Sequence, residues 1–194
     1  MRTSLLFVFV IVGMIPFGSP APGAEELTKA ESALASYAFE GVQLGDTFAS
    51  FDRKFPVKMV NEKESNEKLG VRCYVALVEG NEVAGGFHFF EGKVYEIDVY
   101  YPAERIEKMG GKSAQRAILD TLVETYGNYG VTPTWNLPKV HRRLKYVAPD
   151  SGGVLFTVTD TAAEEKVNQK YTHDLKQQLE KLRLNKEDLK KLGL

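Results

Sequence analysis

Three residues carry side chains able to work together chemically: His88, Glu96 and Asp98. An imidazole with two carboxylates is a ligand set for a divalent metal, or the acid and base of a small hydrolase. Residues 82–89 and 93–101 alternate apolar and polar side chains, as two antiparallel strands do when one face is buried. Between them Phe90-Glu91-Gly92 suits a three-residue hairpin loop with Gly92 in the left-handed region. That register sets Phe89 opposite Lys93 and Phe87 opposite Tyr95. Phe87, Phe89, Tyr95, Ile97, Val99 and Tyr101 then share one face, and His88, Val94, Glu96, Asp98 and Tyr100 the other. His88 opposes Val94 and lies only diagonal to Glu96, so a metal would need a further ligand. Polar alternation on a half-exposed sheet explains the same three residues without function. The expectation is therefore a solvated face, with no catalytic residue, no metal and no cofactor.

Cys73 is the single cysteine and alternates with Val71, Val75 and Leu77 on one side of a strand over 71–78. It is expected to be a buried thiol acting as a small hydrophobe, since a reactive thiolate needs a basic neighbour or a helix N-terminus. Tyr126, Tyr129 and Trp135 gather three large rings in one Gly-containing loop. Such rings either plug the end of a small core or offer contact area at low entropic cost. If the chain has a ligand or partner surface, these three residues are its first candidates.

Asp150-Ser151-Gly152-Gly153 resembles the segment around the nucleophile of chymotrypsin-like serine proteases. It covers four residues, Pro149 stands where that family has Gly, and no matching histidine segment is present; a turn between strands is expected. Gly110-Gly111-Lys112-Ser113 resembles the end of a phosphate-binding loop, but Ile106 stands at its first glycine. A loop leading to a helix capped by Ser113 is expected, with at most a weak anion site at its N-terminus. Residues 141–145 hold the densest basic cluster, split by alternation into His141, Arg143 and Lys145 on one face and Arg142 on the other.

The first two dozen residues read as a secretory signal: Arg2, an apolar run from Leu5 to Ile15, then small residues up to Ala24. The run is shorter than the roughly 20 residues a membrane-spanning helix needs. No Cys follows it, so a lipid-anchored terminus is not expected. The organisation expected is a signal peptide over 1–24, an α+β domain over 25–160 and a helical extension over 161–194, in a secreted or periplasmic protein. Removing Arg2 from the 25 Lys and Arg leaves 24 against 26 Asp and Glu. That near-neutral balance gives no footprint for nucleic acid or anionic lipid. One cysteine excludes an intramolecular disulfide, even in an oxidising compartment.

Positioning these residues requires an antiparallel sheet of about five main strands, near 71–78, 82–89, 93–101, 140–148 and 154–159. Helices are expected over 27–39, from Asp46 to Pro56, from Ser113 to Gly127, and from a capping box at Thr161-Ala162-Ala163-Glu164, with a last turn from Asn185. Residues 60–69 read as a polar connection and 102–112 as a loop. A shift of about seventy residues lays one helix-strand-strand run over another, which reads as repeated α+β layering. The fold class is thus α+β, with helices on the Phe87/Tyr95/Ile97 face and the other face partly wet.

Gly41-Val42-Gln43-Leu44-Gly45-Asp46-Thr47 before a helix and strands resembles the opening of small envelope modules of the β-lactamase-inhibitor-like and outer-membrane-assembly-lipoprotein type. The resemblance spans about a dozen residues, and the lipidated cysteine of the latter is missing. It implies a protein-binding module without catalysis, whose partner would be a protein of the cell envelope. The alternative is a small exported hydrolase built on His88, Glu96 and Asp98.

Overall fold

The computed structural model describes residues 27–78, 80 and 82–191, so the expected signal sequence lies outside the described residues. The chain is α+β and antiparallel throughout. Seven strands form the main sheet: β3 (Met59–Val60), β4 (Val71–Val78), β5 (Val83–Phe90), β6 (Lys93–Tyr101), β7 (Thr134–Leu137), β8 (Arg142–Val147) and β9 (Val154–Asp160). Their order is β3-β4-β5-β6-β9-β8-β7, while β1 (Ala38–Phe39) and β2 (Val42–Gln43) make a separate small hairpin. The five long strands are the expected ones, and β3 and β7 add short edges. Those edges flank β6 symmetrically, each preceded by a helix and followed by two long strands.

The helices start where local donors are satisfied. α1 (Lys29–Ala35) has a capping box, with Thr28 N–H donating to Glu31 Oε2 at 2.7 Å and Glu31 N–H to Thr28 Oγ1 at 3.2 Å. α2 (Phe48–Lys54) is capped by Thr47 and stops ahead of Pro56. Residues 102–112 are not merely a loop, because α3 (Ala103–Lys108) follows Pro102, whose fixed φ suits a helix entry. α4 (Lys112–Tyr126) starts after Gly111 at φ +57°, so Ser113 lies inside the helix and does not cap it. α5 (Thr161–Lys191) is capped by Asp160, whose Oδ1 accepts from Ala162 and Ala163 N–H, and it runs on without a new start at Asn185.

α1 to α4 cover one sheet face. Phe51 of α2 is fully buried there, its ring 4.8 Å from Phe87 and 5.2 Å from Phe89, with Leu34, Ile106 and Ile118 from the other helices completing the layer. The opposite face carries a smaller apolar cluster of Leu69, Val71 and Phe90, against which Tyr95 and Val167 of α5 pack. Farther along α5, Tyr171, Leu175, Leu179 and Leu182 are exposed. No helix among the described residues is long and apolar enough to cross a membrane.

The β5–β6 hairpin corrects the expected register. Its loop has two residues, Glu91 at φ +51° and Gly92 at φ +76°, which pairs Phe90 with Lys93 and Phe89 with Val94. The register then shifts between His88 and Phe89: His88 pairs with Glu96 and Phe87 with Ile97, leaving Tyr95 as the extra residue of a β-bulge. The bulge exchanges two faces. Val94 goes into the main core at 1% exposure, and Tyr95 joins the opposite face beside His88.

Candidate metal centre

The shift puts His88 directly across from Glu96, and Gly86 directly across from Asp98. A Cβ on Gly86 would lie 3.1 Å from the Asp98 Cβ, so the missing side chain gives Asp98 room beside the imidazole. On the other side of β5, Cys73 of β4 pairs with His88. Glu64 arrives from the connection between β3 and β4, and that connection is tied to Cys73 itself. Asn61 N–H donates to Cys73 O at 2.9 Å, Cys73 N–H donates to Ser65 Oγ at 3.0 Å, and Ser65 Oγ donates to Asn61 O at 2.8 Å.

All these groups meet at one atom. His88 Nε2 lies 2.9 Å from Asp98 Oδ2, 3.8 Å from Glu96 Oε1, 3.7 Å from Glu64 Oε2 and 3.7 Å from Cys73 Sγ. Cys73 Sγ is 3.4 Å from Glu64 Oε2. The donor atoms form two triads sharing His88: Glu64, Cys73 and His88 on one side, and His88, Glu96 and Asp98 on the other. His88 is 7% exposed and Cys73 fully buried, while Glu64 reaches solvent.

The carboxylates are themselves held. Thr157 Oγ1 donates to Asp98 Oδ1 at 2.6 Å and Thr159 Oγ1 to Glu96 Oε2 at 2.8 Å, both from β9. Arg143 is engaged by Glu164 of α5 through bonds of 2.8 and 2.6 Å, and Arg142 by Asp160 at 2.7 Å. Two cations of the expected basic cluster, Arg142 and Arg143, are therefore held in ion pairs. Burial alone would lower the His88 pKa, but its hydrogen bond to Asp98, with Cys73 and Glu96 nearby, outweighs that and holds the imidazole up at about 10. Burial pushes the Cys73 thiol and the Glu96 carboxyl upward, His88 opposing both.

Such an arrangement is poorly suited to nucleophilic catalysis. A thiol-imidazole-carboxylate relay uses the two ring nitrogens separately, one oriented by the acid and one taking the proton. Here Cys73 and Asp98 face the same nitrogen. Two surface cavities, of about 440 and 390 Å³, are lined by residues such as Phe48, Arg72 and Tyr74, and by residues 165–176 of α5; neither includes a member of the cluster.

The sequence pattern picked out His88, Glu96 and Asp98, and the fold brings them together. It did not point to Glu64, and it gave Cys73 no basic neighbour, whereas the pairing of β4 with β5 supplies His88. The signal available for the site was Gly85-Gly86 within a strand, since consecutive glycines there mark close approach by other groups.

Tyr126, Tyr129 and Trp135 also come together, but as a plug. Trp135 is 4% exposed, its ring 6.1 Å from Tyr126 and 5.6 Å from Tyr129, and its indole N–H donates to Gly127 O at 2.7 Å. The indole is thus turned into the main core, because its one donor is satisfied by the chain end of α4. Gly152 and Gly153 form the left-handed turn between β8 and β9, and the Glu107 carboxylate lies near Gly111 at the start of α4.

No protein-family model, curated protein or solved structure matches the chain.

Proposed function

We propose that the protein is an exported, non-catalytic binding module whose ligand is a divalent metal ion taken up around His88 on the partly open sheet face. The supporting observation is the convergence of four donor groups on one imidazole nitrogen. A protonated Nε2 has a single N–H, and Asp98 accepts it. Glu64, Glu96 and Cys73 gain no hydrogen bond from it, and three carboxylates around one imidazolium leave an excess of negative charge. A divalent ion answers both conditions. Export rests on the N-terminal sequence, and a partner in the cell envelope on the resemblance of residues 41–47.

Hydrolysis through His88, Glu96 and Asp98 is the less favoured reading, because Cys73 and Asp98 share one ring nitrogen and leave no relay through the imidazole. The test is equilibrium dialysis of the purified protein against a panel of divalent ions, with metal content measured per chain. One tightly held ion per chain, lost in His88→Ala with the fold retained by circular dichroism, is the expected result. Absence of any ion from the wild-type chain overturns the proposal.

A further inference from the structure

The geometry points to Glu64, Cys73 and His88 as the ligands of a thiol-accepting ion of the zinc class, and not of magnesium or calcium. This rests on the metal-binding reading above and assigns the ion to one of the two triads. A tetrahedral zinc with bonds of about 2.0–2.3 Å sets its ligand atoms about 3.3–3.8 Å apart. The Sγ, Nε2 and Oε2 atoms of Cys73, His88 and Glu64 are separated by 3.4, 3.7 and 3.7 Å, one face of such a tetrahedron before any ion is added. In the other triad Asp98 Oδ2 lies 2.9 Å from Nε2, the spacing of a hydrogen bond and shorter than the ligand separations of a tetrahedral zinc.

Ligand softness makes the same choice. A thiolate and an imidazole favour zinc, cobalt or cadmium, whereas magnesium and calcium require oxygen ligands. Two of the three ligands are more than nine-tenths buried and are aimed at the common point, while Glu64 stands at the solvent edge where an ion would enter. On binding, the ion replaces the Cys73 thiol proton and the Nε2 proton, which pass to solvent. Asp98 gives up the hydrogen bond that it accepts from Nε2 in the metal-free chain, and Glu96 and Asp98 stay beside the site as a source of negative charge. Because Cys73 has no second cysteine to pair with, oxidising conditions do not close the site through an intramolecular disulfide.

Cobalt(II) titration of the purified protein, followed by absorption spectroscopy, tests the assignment. One equivalent should give a thiolate-to-cobalt charge-transfer band in the near ultraviolet together with the intense visible bands of four-coordination. Zinc should displace the cobalt, and a hundredfold excess of magnesium or calcium should not. Cys73→Ser should lose the charge-transfer band. Glu64→Gln, at a solvent-reaching position that leaves the fold intact, should weaken cobalt binding at least about tenfold. Cobalt bound without the charge-transfer band, at an affinity unchanged in Glu64→Gln, places the ion on the Glu96 and Asp98 side and overturns this inference while sparing the metal-binding reading. Failure of cobalt and zinc to bind, where magnesium or calcium does bind, overturns this inference alone, and failure of every ion to bind overturns both.

Discussion

Cys73 and His88 are cross-strand partners, with Sγ 3.7 Å from Nε2, and this pairing joins the two sides of the polar cluster on β4, β5 and β6. His88 is common to both triads. Glu96 pairs with it, and Asp98 with Gly86, only because Tyr95 is left out of the β5–β6 ladder. Predictions about the hairpin are therefore predictions about the site as well.

Gly92→Val should destabilise the fold by about 1 kcal/mol or more. A Cβ at Gly92 meets nothing within 4 Å, so the cost is backbone strain at φ +76° and not a clash. Denaturant unfolding measures it. An unchanged midpoint would mean that Gly92 does not hold the left-handed conformation of the two-residue turn.

The two glycines of β5 should differ in what they report. A Cβ on Gly85 would fall 2.7 Å from Phe39 Cε1 and 2.9 Å from Phe87 Cε2, inside the main core. Gly85→Ala should lower stability by about 1–3 kcal/mol through overpacking. Gly86→Ala presses instead on Asp98, so its clearest effect should be on metal affinity. Melting curves paired with cobalt titrations separate the two, and equal effects of both variants on both readouts would contradict the assigned faces.

Trp135→Phe should cost about 1 kcal/mol for the lost bond to Gly127 O, and Trp135→Ala about 3–5 kcal/mol. Neither should alter cobalt binding in the chains that remain folded. A variant with native stability would show that the indole is not the core plug described here.

The architecture was largely legible in the sequence, since five strands and four helices follow from alternation, helical spacing and stop residues. The hairpin register was not. Val94 and Tyr95 are both apolar enough to be inside, so alternation along β6 cannot show that one residue is extra, and only the pairing with β5 decides. Glu64 was illegible for a different reason: its place depends on the Asn61 N–H donating to Cys73 O and the Cys73 N–H donating to Ser65 Oγ, bonds that close over a connection with no periodicity. Trp135 could be read as an amphipathic ring, but its partner is a backbone carbonyl, and no residue type signals that. His88, Glu96 and Asp98 were recognisable as chemistry-bearing neighbours, while their convergence required the bulge.

Thr157 offers a test of how far the site is prepared by its surroundings. Its hydroxyl donates to Asp98 Oδ1 at 2.6 Å, and Asp98 Oδ2 in turn lies 2.9 Å from His88 Nε2, so Thr157 acts on the imidazole only through the carboxylate. Thr157→Val keeps the β-branched shape that suits a strand and removes the donor. Asp98 then loses its anchor and holds the Nε2 proton less firmly, and because the ion must displace that proton, metal affinity should rise severalfold, the effect of weakening a hydrogen bond worth about 1 kcal/mol. A threonine that served only the sheet would leave affinity unchanged and move only the melting temperature. Thr157→Ser, which restores the hydroxyl, should return the affinity to near that of the wild type. Measuring cobalt dissociation constants and melting temperatures for all three chains decides between these outcomes, and equal affinity in wild type and Thr157→Val would show that the Thr157-anchored Asp98 does not hold Nε2 against the ion.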